Sequence, residues 1–336
     1  MNASPLIKWN WPALSRPIAC CALALVALSA TQSAAAQSRF PERPITLIVP
    51  FAPGGVADLT ARAVAQHMGQ SLKQTVIVDN RPSAGSIVAT QAVAKAAPDG
   101  HTLLLMSNGN ALSATLFKKL PYDTQRDLAP ITTLGFFDIG IFVGSSARWA
   151  TLRDVLAAAK AQPGKLTVGT IAVGSTQHLA AELFKTVAGI DVLIVPYKAT
   201  PAVMTALRAG EIDLAFEIVA PMLAQVNAGA LRALAVSSQQ RNPALPAVPT
   251  MQQAGVAGYA VASWNALAAP AGTPVDIIEK LNRAAREAVA SSAVQTQLGA
   301  LGVRLQAGTP EQLAQLLSSE IKRWAEVIHA AKITPE

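Results

Sequence analysis

The most constraining feature of this chain is an alternation. Short runs rich in Val, Ile, Thr and Leu recur between longer stretches with helical spacing, the pattern of sheets covered by helices. The strand candidates are Ile45–Phe51, Thr75–Asn80, Thr102–Ser107, Gly140–Gly144, Leu166–Ile171, Val192–Tyr197, Asp213–Val219 and Leu231–Ser237. Eight strands fit two sheets better than one. Helix starts are marked as clearly. At Thr309-Pro310-Glu311-Gln312 a capping Thr, a Pro at the first helical position and a box Gln precede Leu313, Leu316, Leu317, Ile321, Trp324 and Ile328 on one face. Thr273-Pro274 reads as a second start of the same kind, with Ile277, Ile278, Leu281 and Ala285 on the buried face, and Thr151-Leu152 as a third.

Two segments read as passages between domains: the Gly-flanked run Phe136–Gly144, and Gly255–Pro270, where Gly and Ala surround Tyr259, Trp264 and Asn265. The division they predict is a discontinuous first domain, 37–140 plus 262–336, and a second domain, 141–261, with a cleft between them. The fold class is therefore α/β, each domain a mostly parallel sheet covered by helices. No internal repeat is evident.

Residues 1–36 stand apart. Lys8 and Arg16 precede the 13-residue apolar stretch Ile18–Ala30, followed by Ala34-Ala35-Ala36 and Gln37. Basic region, short apolar core and small-residue cleavage site make up a secretory signal peptide, and 13 residues are too few for a spanning helix, which needs about 20. Cys20 and Cys21 precede most of the apolar core, the wrong place for a lipid-modified cysteine. Cleavage after Ala36 would leave 300 of the 336 residues, lower the net charge from +7 to +5 and remove both cysteines. An exported chain of that size can bury enough surface without disulfides, which suits a bacterial periplasm. Charged residues make up 14 % of the chain, against about 25 % in ordinary globular proteins, so a disordered chain is excluded. Basic residues pair only at Lys118-Lys119 and Lys322-Arg323, which argues against a nucleic-acid partner.

The sharpest chemical feature is Val49-Pro50-Phe51-Ala52-Pro53-Gly54-Gly55-Val56-Ala57-Asp58, a strand running through a Gly-rich turn into a helix. Amides at a helix N-terminus beside glycines form a natural anion site. The turn residues and Asp58 are candidate ligand groups, and the same residues also suit a tight connection in which Gly permits unusual dihedrals and Asp58 favours the helix dipole. The segment is neither a dinucleotide fingerprint nor a phosphate loop. A second strand–turn–helix occurs at Thr170–His178, where Ser175 or Thr176 caps a helix or offers a hydroxyl to an oxygen-rich ligand beside Gly174.

Ser175 and His178 also invite a nucleophile-and-base reading, that of an exported hydrolase, although no G-x-S-x-G elbow is present. His67, His101, His178 and His329 show no metal-ligand spacing, and neither a metal nor a cofactor is implied. Other polar groups fall where strands end: Ser107, Asn108 and Asn110, then Tyr197 and Lys198, and finally Glu217, a carboxylate closing an apolar strand. Ligands collect beyond the carboxyl ends of strands in open α/β sheets.

These motifs, in order, resemble the Bug-type periplasmic substrate-binding proteins of tripartite tricarboxylate transporters. The resemblance runs from about Phe40 to the last helix. It rests on Pro41-Glu42-Arg43-Pro44-Ile45, the Pro50–Gly55 turn with Asp58, Asn80-Arg81-Pro82, Ala97-Pro98-Asp99-Gly100 and Leu120-Pro121-Tyr122-Asp123. It continues through Pro163-Gly164-Lys165-Leu166, Gly174-Ser175-Thr176 with His178-Leu179, Val195-Pro196-Tyr197-Lys198, and Leu231–Val236 leading to Val248-Pro249-Thr250. The resemblance implies a periplasmic binding fold that closes on a small carboxylate, such as a di- or tricarboxylate, an amino acid or an aromatic acid. It implies delivery to a membrane permease without catalysis, by a monomer, or signalling to a sensor protein as an orphan receptor. The family's ligand loops map onto Phe51, Ala52, Pro53, Gly54, Gly55 and Val56, onto Gly174, Ser175, Thr176 and His178, and onto Tyr197.

Some positions depart from the family pattern. Ile171-Ala172-Val173 replaces a polar, Asn- and Gly-rich segment, and Phe216-Glu217-Ile218 stands where Phe-Asp-Asn is usual. Tyr197-Lys198-Ala199 and Asn80-Arg81-Pro82-Ser83 each lose a glycine. These changes point to a ligand with one carboxylate and a more apolar remainder, or with an amine facing Glu217.

Overall fold

A computed structural model describes residues 40–171 and 173–334. The signal-peptide assignment, with Lys8, Arg16, Cys20 and Cys21, lies outside the described residues, as does Ala172. In chain order the elements begin with β1 (Ile45–Val49), α1 (Val56–Leu72), β2 (Val76–Asn80), α2 (Ile87–Ala94), β3 (Thr102–Ser107) and α3 (Asn108–Leu116). The long β4 (Leu128–Gly144) leads to α4 (Leu152–Ala161), β5 (Thr167–Ile171), α5 (Thr176–Ala188), β6 (Leu193–Tyr197), α6 (Thr200–Ala209), β7 (Leu214–Ile218), α7 (Val219–Asn227) and β8 (Leu231–Val236). The chain then forms β9 (Ala262–Pro270), α8 (Val275–Ala290), α9 (Ser292–Gly299), β10 (Val303–Leu305) and α10 (Pro310–Ala330).

The strands run in the order β2-β1-β3-β9-β4-β7-β5-β6, with β8 and β10 also on β4. Parallel ladders join β1 to β2 and β3, and β5 to β6 and β7. The ladders of β4 and β9 are antiparallel, so the whole is mixed. The two sheets expected from eight strands thus share a strand. From Leu128 to Asp138 β4 pairs with β9, and from Ile139 it pairs with β7 and β8.

Ser237 sits at that change of partners. Its amide donates to Ile139 O at 2.7 Å and its carbonyl accepts from the Val261 amide at 2.8 Å. Its hydroxyl donates to Val261 O at 2.6 Å and accepts from the Ile139 amide at 3.2 Å. One serine therefore ties together the strand that leaves the β1–β3 end and the chain that returns to it.

Seven of the nine β9 residues are buried, though the strand is Ala-rich and carries no β-branched residue. The ladders on both sides, to β3 and β4, hold it extended. Thr309 and Gln312 form the expected capping box, with Leu313, Leu317, Trp324 and Ile328 buried and Leu316 and Ile321 half-buried. Thr273 departs from expectation. Its hydroxyl donates to Pro270 O at 2.8 Å, and Pro274 is the residue that precedes α8. Among the described residues no helix is long and apolar enough to cross a membrane.

Candidate functional site

The turn from β1 to α1 is exposed from Ala52 to Gly55, with Phe51 and Val56 half-buried. Gly54 takes φ +86°, a conformation that L side chains rarely adopt. Its amide donates to Asp58 Oδ2 at 2.9 Å. Asp58, only 2 % exposed, also accepts from Arg62 Nε at 3.0 Å and from Asn80 Nδ2 at 2.8 Å. Burial works to raise the Asp58 pKa, and these hydrogen bonds, led by Arg62, outweigh it and hold the carboxylate below its usual range. Asn80 Nδ2 further donates to Phe51 O at 2.9 Å. Asp58 is thus the anchor that shapes the turn from below. Gly55 precedes α1 and offers no side-chain cap, so among the described residues the first-turn amides of α1 meet no capping side chain.

Where β3 ends, Ser107 Oγ accepts from the Gly109 amide at 3.2 Å and Asn110 Oδ1 from the Ser107 amide at 2.9 Å, a capping box for α3. Asn108, fully buried, donates from Nδ2 to Thr176 Oγ1 at 3.3 Å, and its Oδ1 accepts from Trp324 Nε1 at 3.2 Å. This pair joins the helix after β3 to the helix after β5.

In the second loop Gly174 takes φ +77°, and a Cβ there would stand 2.9 Å from Leu116 Cδ1, at the end of α3. Ser175 is the cap: its Oγ accepts from the His178 amide at 3.1 Å and donates to Ile171 O at 3.2 Å. The serine hydroxyl is therefore engaged with backbone rather than with the imidazole of His178, whose Nδ1 accepts from the Gly174 amide at 3.5 Å. Burial, aided by Lys185, lowers the His178 pKa.

Glu217 is completely buried at the end of β7. Its Oε2 accepts from Gln177 Nε2 at 3.3 Å, Thr200 Oγ1 at 3.1 Å and the Ile218 amide at 3.2 Å. Its Oε1 is buried without a hydrogen-bond partner among the described residues. Burial pushes its pKa up to about 7, against the three hydrogen bonds that favour the charged form. Gln177 follows the Gly174–Thr176 turn, and Thr200 follows Tyr197 and Lys198, so Glu217 links both loops. Neither Gln177 nor Thr200 carries a sequence signal of its own. Tyr197 is half-buried against the core cluster around Val203 and Phe142, while Lys198 is exposed.

The first loop and the end of β7 share one apolar cluster. Val56 and Ile218 pack on one cluster with Phe137, Leu298 and Val303. The structure thus gathers Ser107, Asn108, Gly174, Ser175, Thr176 and His178 and ties Glu217 to them through Gln177, while Val56 and Ile218 each pack on one shared apolar cluster. Among the described residues no group of three or more His, Cys, Asp and Glu is placed to hold a metal.

Residues 60–333 match the family model for the tripartite tricarboxylate transporter family receptor. The chain belongs to this receptor family. Its relatives include BugT of Bordetella pertussis, 37 % identical over 291 residues that cover 86 % of this chain and 89 % of BugT. Among solved structures, R. palustris Rpa4515 with adipate is 32 % identical with a TM-score of 0.79, covering 88 % of this chain and all of that one. MatC from Rhodopseudomonas palustris with bound malate is 32 % identical with a TM-score of 0.74, covering 86 % of this chain and all of its own. The tripartite tricarboxylate receptors are solute-binding proteins that serve a membrane transporter. Of the two Gly turns, the one at Gly55 has no side-chain cap and the one at Ser175 is capped.

Proposed function

We propose that this receptor encloses a small carboxylate between two lobes, 37–140 with 262–336 and 141–261, and releases it to a membrane permease from the periplasm. One solute carboxylate group sits against the amides that open α1, at Gly55 to Asp58, where the helix dipole and open N–H groups favour an anion. The Ser175–Thr176 turn, Tyr197 and the Asn108 side approach it from the other direction. The lobes turn about the Asp138–Ile139 point of β4, the Ser237 knot and the start of β9, as in hinge closure around a solute.

The observation that carries the reading is the α1 N-terminus: a Gly-Gly turn at the carboxyl end of a strand, exposed, shaped by a buried Asp58 and left without a side-chain cap. The adipate and malate bound by the two solved relatives favour a carboxylate as the anion. The protein acts as a monomeric receptor without a reaction of its own.

A thermal-shift screen over small carboxylates tests it. A solute at 100 times its Kd adds about 2.7 kcal/mol, which raises the midpoint by about 2 °C for each kcal/mol in a chain of this size. Turnover of an ester or amide that Ser175→Ala abolishes would overturn the receptor reading.

A further inference from the structure

We propose that Glu217 selects the solute: its buried Oε1 accepts a hydrogen bond from an N–H or O–H group on the bound acid, so the receptor prefers amino or hydroxy acids to their unsubstituted parents. The inference rests on the carboxylate-receptor reading and adds the chemistry of the rest of the solute.

Glu217 is fully buried, and its two oxygens are treated unequally. Three donors converge on Oε2, from Gln177, Thr200 and the Ile218 amide, and fix the carboxyl group in place. No donor of the described residues meets Oε1. A buried charged oxygen left without a partner is costly, since the desolvation of the group is then uncompensated. Protonation removes the charge but does not partner Oε1 as an acceptor. A donor brought by the solute does. The position suits such a role, because Glu217 closes β7 at its carboxyl end, where α/β sheets receive ligands. Its Oε2 partners come from the segments that follow the Gly174–Thr176 turn and Tyr197. The three groups bonded to Oε2 are uncharged, so no protein cation competes with a solute ammonium there.

Matched acids that differ only at C2 read this out. Calorimetric titrations would compare succinate, malate and aspartate; propionate, lactate and alanine; and 3-phenylpropionate, phenyllactate and phenylalanine. In whichever series binds, a donor-bearing acid is expected to bind about 10- to 100-fold tighter than its parent, the range for a hydrogen bond to a charged group. In Glu217→Gln the three donors hold the amide oxygen at the Oε2 position and turn the NH2 toward the solute. The preference should then fall to about twofold or less, with the parent acid little affected. The wild-type comparison stands even if that variant fails to fold. A parent acid that binds as tightly as its amino and hydroxy derivatives overturns the inference and leaves the carboxylate reading intact. If none of the nine acids binds while another carboxylate does, the inference falls alone, and if no carboxylate binds, both fall.

Discussion

Asn108 and Thr176, 68 residues apart in the chain, meet through a hydrogen bond of 3.3 Å from Nδ2 to Oγ1. Trp324 Nε1 fixes the other end of the Asn108 amide at 3.2 Å and is itself held by Glu320 Oε2 at 2.7 Å. The C-terminal helix thus orients a side chain of α3 toward the first residue of α5. Asn108→Ala should cost about 1–3 kcal/mol, because it removes two buried hydrogen bonds while Trp324 keeps Glu320. In a double-mutant cycle with Thr176→Val by urea denaturation, the two changes should cost less together than their sum, by about 0.5–1.5 kcal/mol. Full additivity would show that the pair does not interact.

Three glycines separate shape from ligand approach. Gly174→Ala meets both a positive φ and Leu116 Cδ1 at 2.9 Å, and Gly54→Ala meets the positive φ alone. The first should lose more stability, with about 1 kcal/mol for the backbone in each case. Gly55 has φ −77° and a Cβ there would find only Ala52 O at 3.9 Å, so Gly55→Ala should unfold like the wild type. If a carboxylate lies against the α1 amides, that same variant weakens binding; unchanged affinity would move the anion elsewhere.

Asp58→Ala removes the group that accepts from Gly54, Arg62 and Asn80. A loss of about 2–3 kcal/mol is expected from the hydrogen bonds to a buried carboxylate, with little from attraction to the half-exposed Arg62. The folded pKa lies below the unfolded value of 3.8, so the stabilisation is complete above that pH and fades as pH falls through the lowered value. Urea midpoints for the two proteins should therefore converge in acid.

Glu217 has the opposite sign. Its pKa rises from 4.5 unfolded to about 7 folded, so the native state holds a proton that the unfolded chain has lost between those values. Its contribution is most favourable below pH 4.5, declines up to about pH 7 and is then constant, a change of about 3 kcal/mol. The difference in stability between wild type and Glu217→Gln should follow that curve. A flat difference from pH 4 to 8 would mean that Glu217 has the same pKa folded as unfolded.

Much of this arrangement is legible in the chain and some is not, for physical reasons. Strands flanking helices announce themselves through β-branched runs, and Thr309 and Thr151 through their capping boxes. The first half of β4 is broken by Pro130 and Gly135, near which its register shifts, and β9 is Ala-rich. Both exist because neighbours on each side supply ladder partners, a tertiary effect that overrides local propensity. The Gly turns are readable, since a glycine between strand and helix has few other uses. Asp58 reads equally as a ligand group and as a helix-end charge, and only the folded contacts make it the anchor of the turn. Gln177 and Thr200 become visible only when the sheet brings Glu217 between them.

The central claim is that the uncapped α1 turn receives a carboxylate. The most direct measurement is isothermal titration calorimetry of the purified protein and its Gly55→Ala variant with small mono-, di- and tricarboxylates. Saturable one-site binding of at least one acid, weakened in the variant, is the result predicted here. Absence of binding by every acid, or equal affinity in the two proteins, would contradict it.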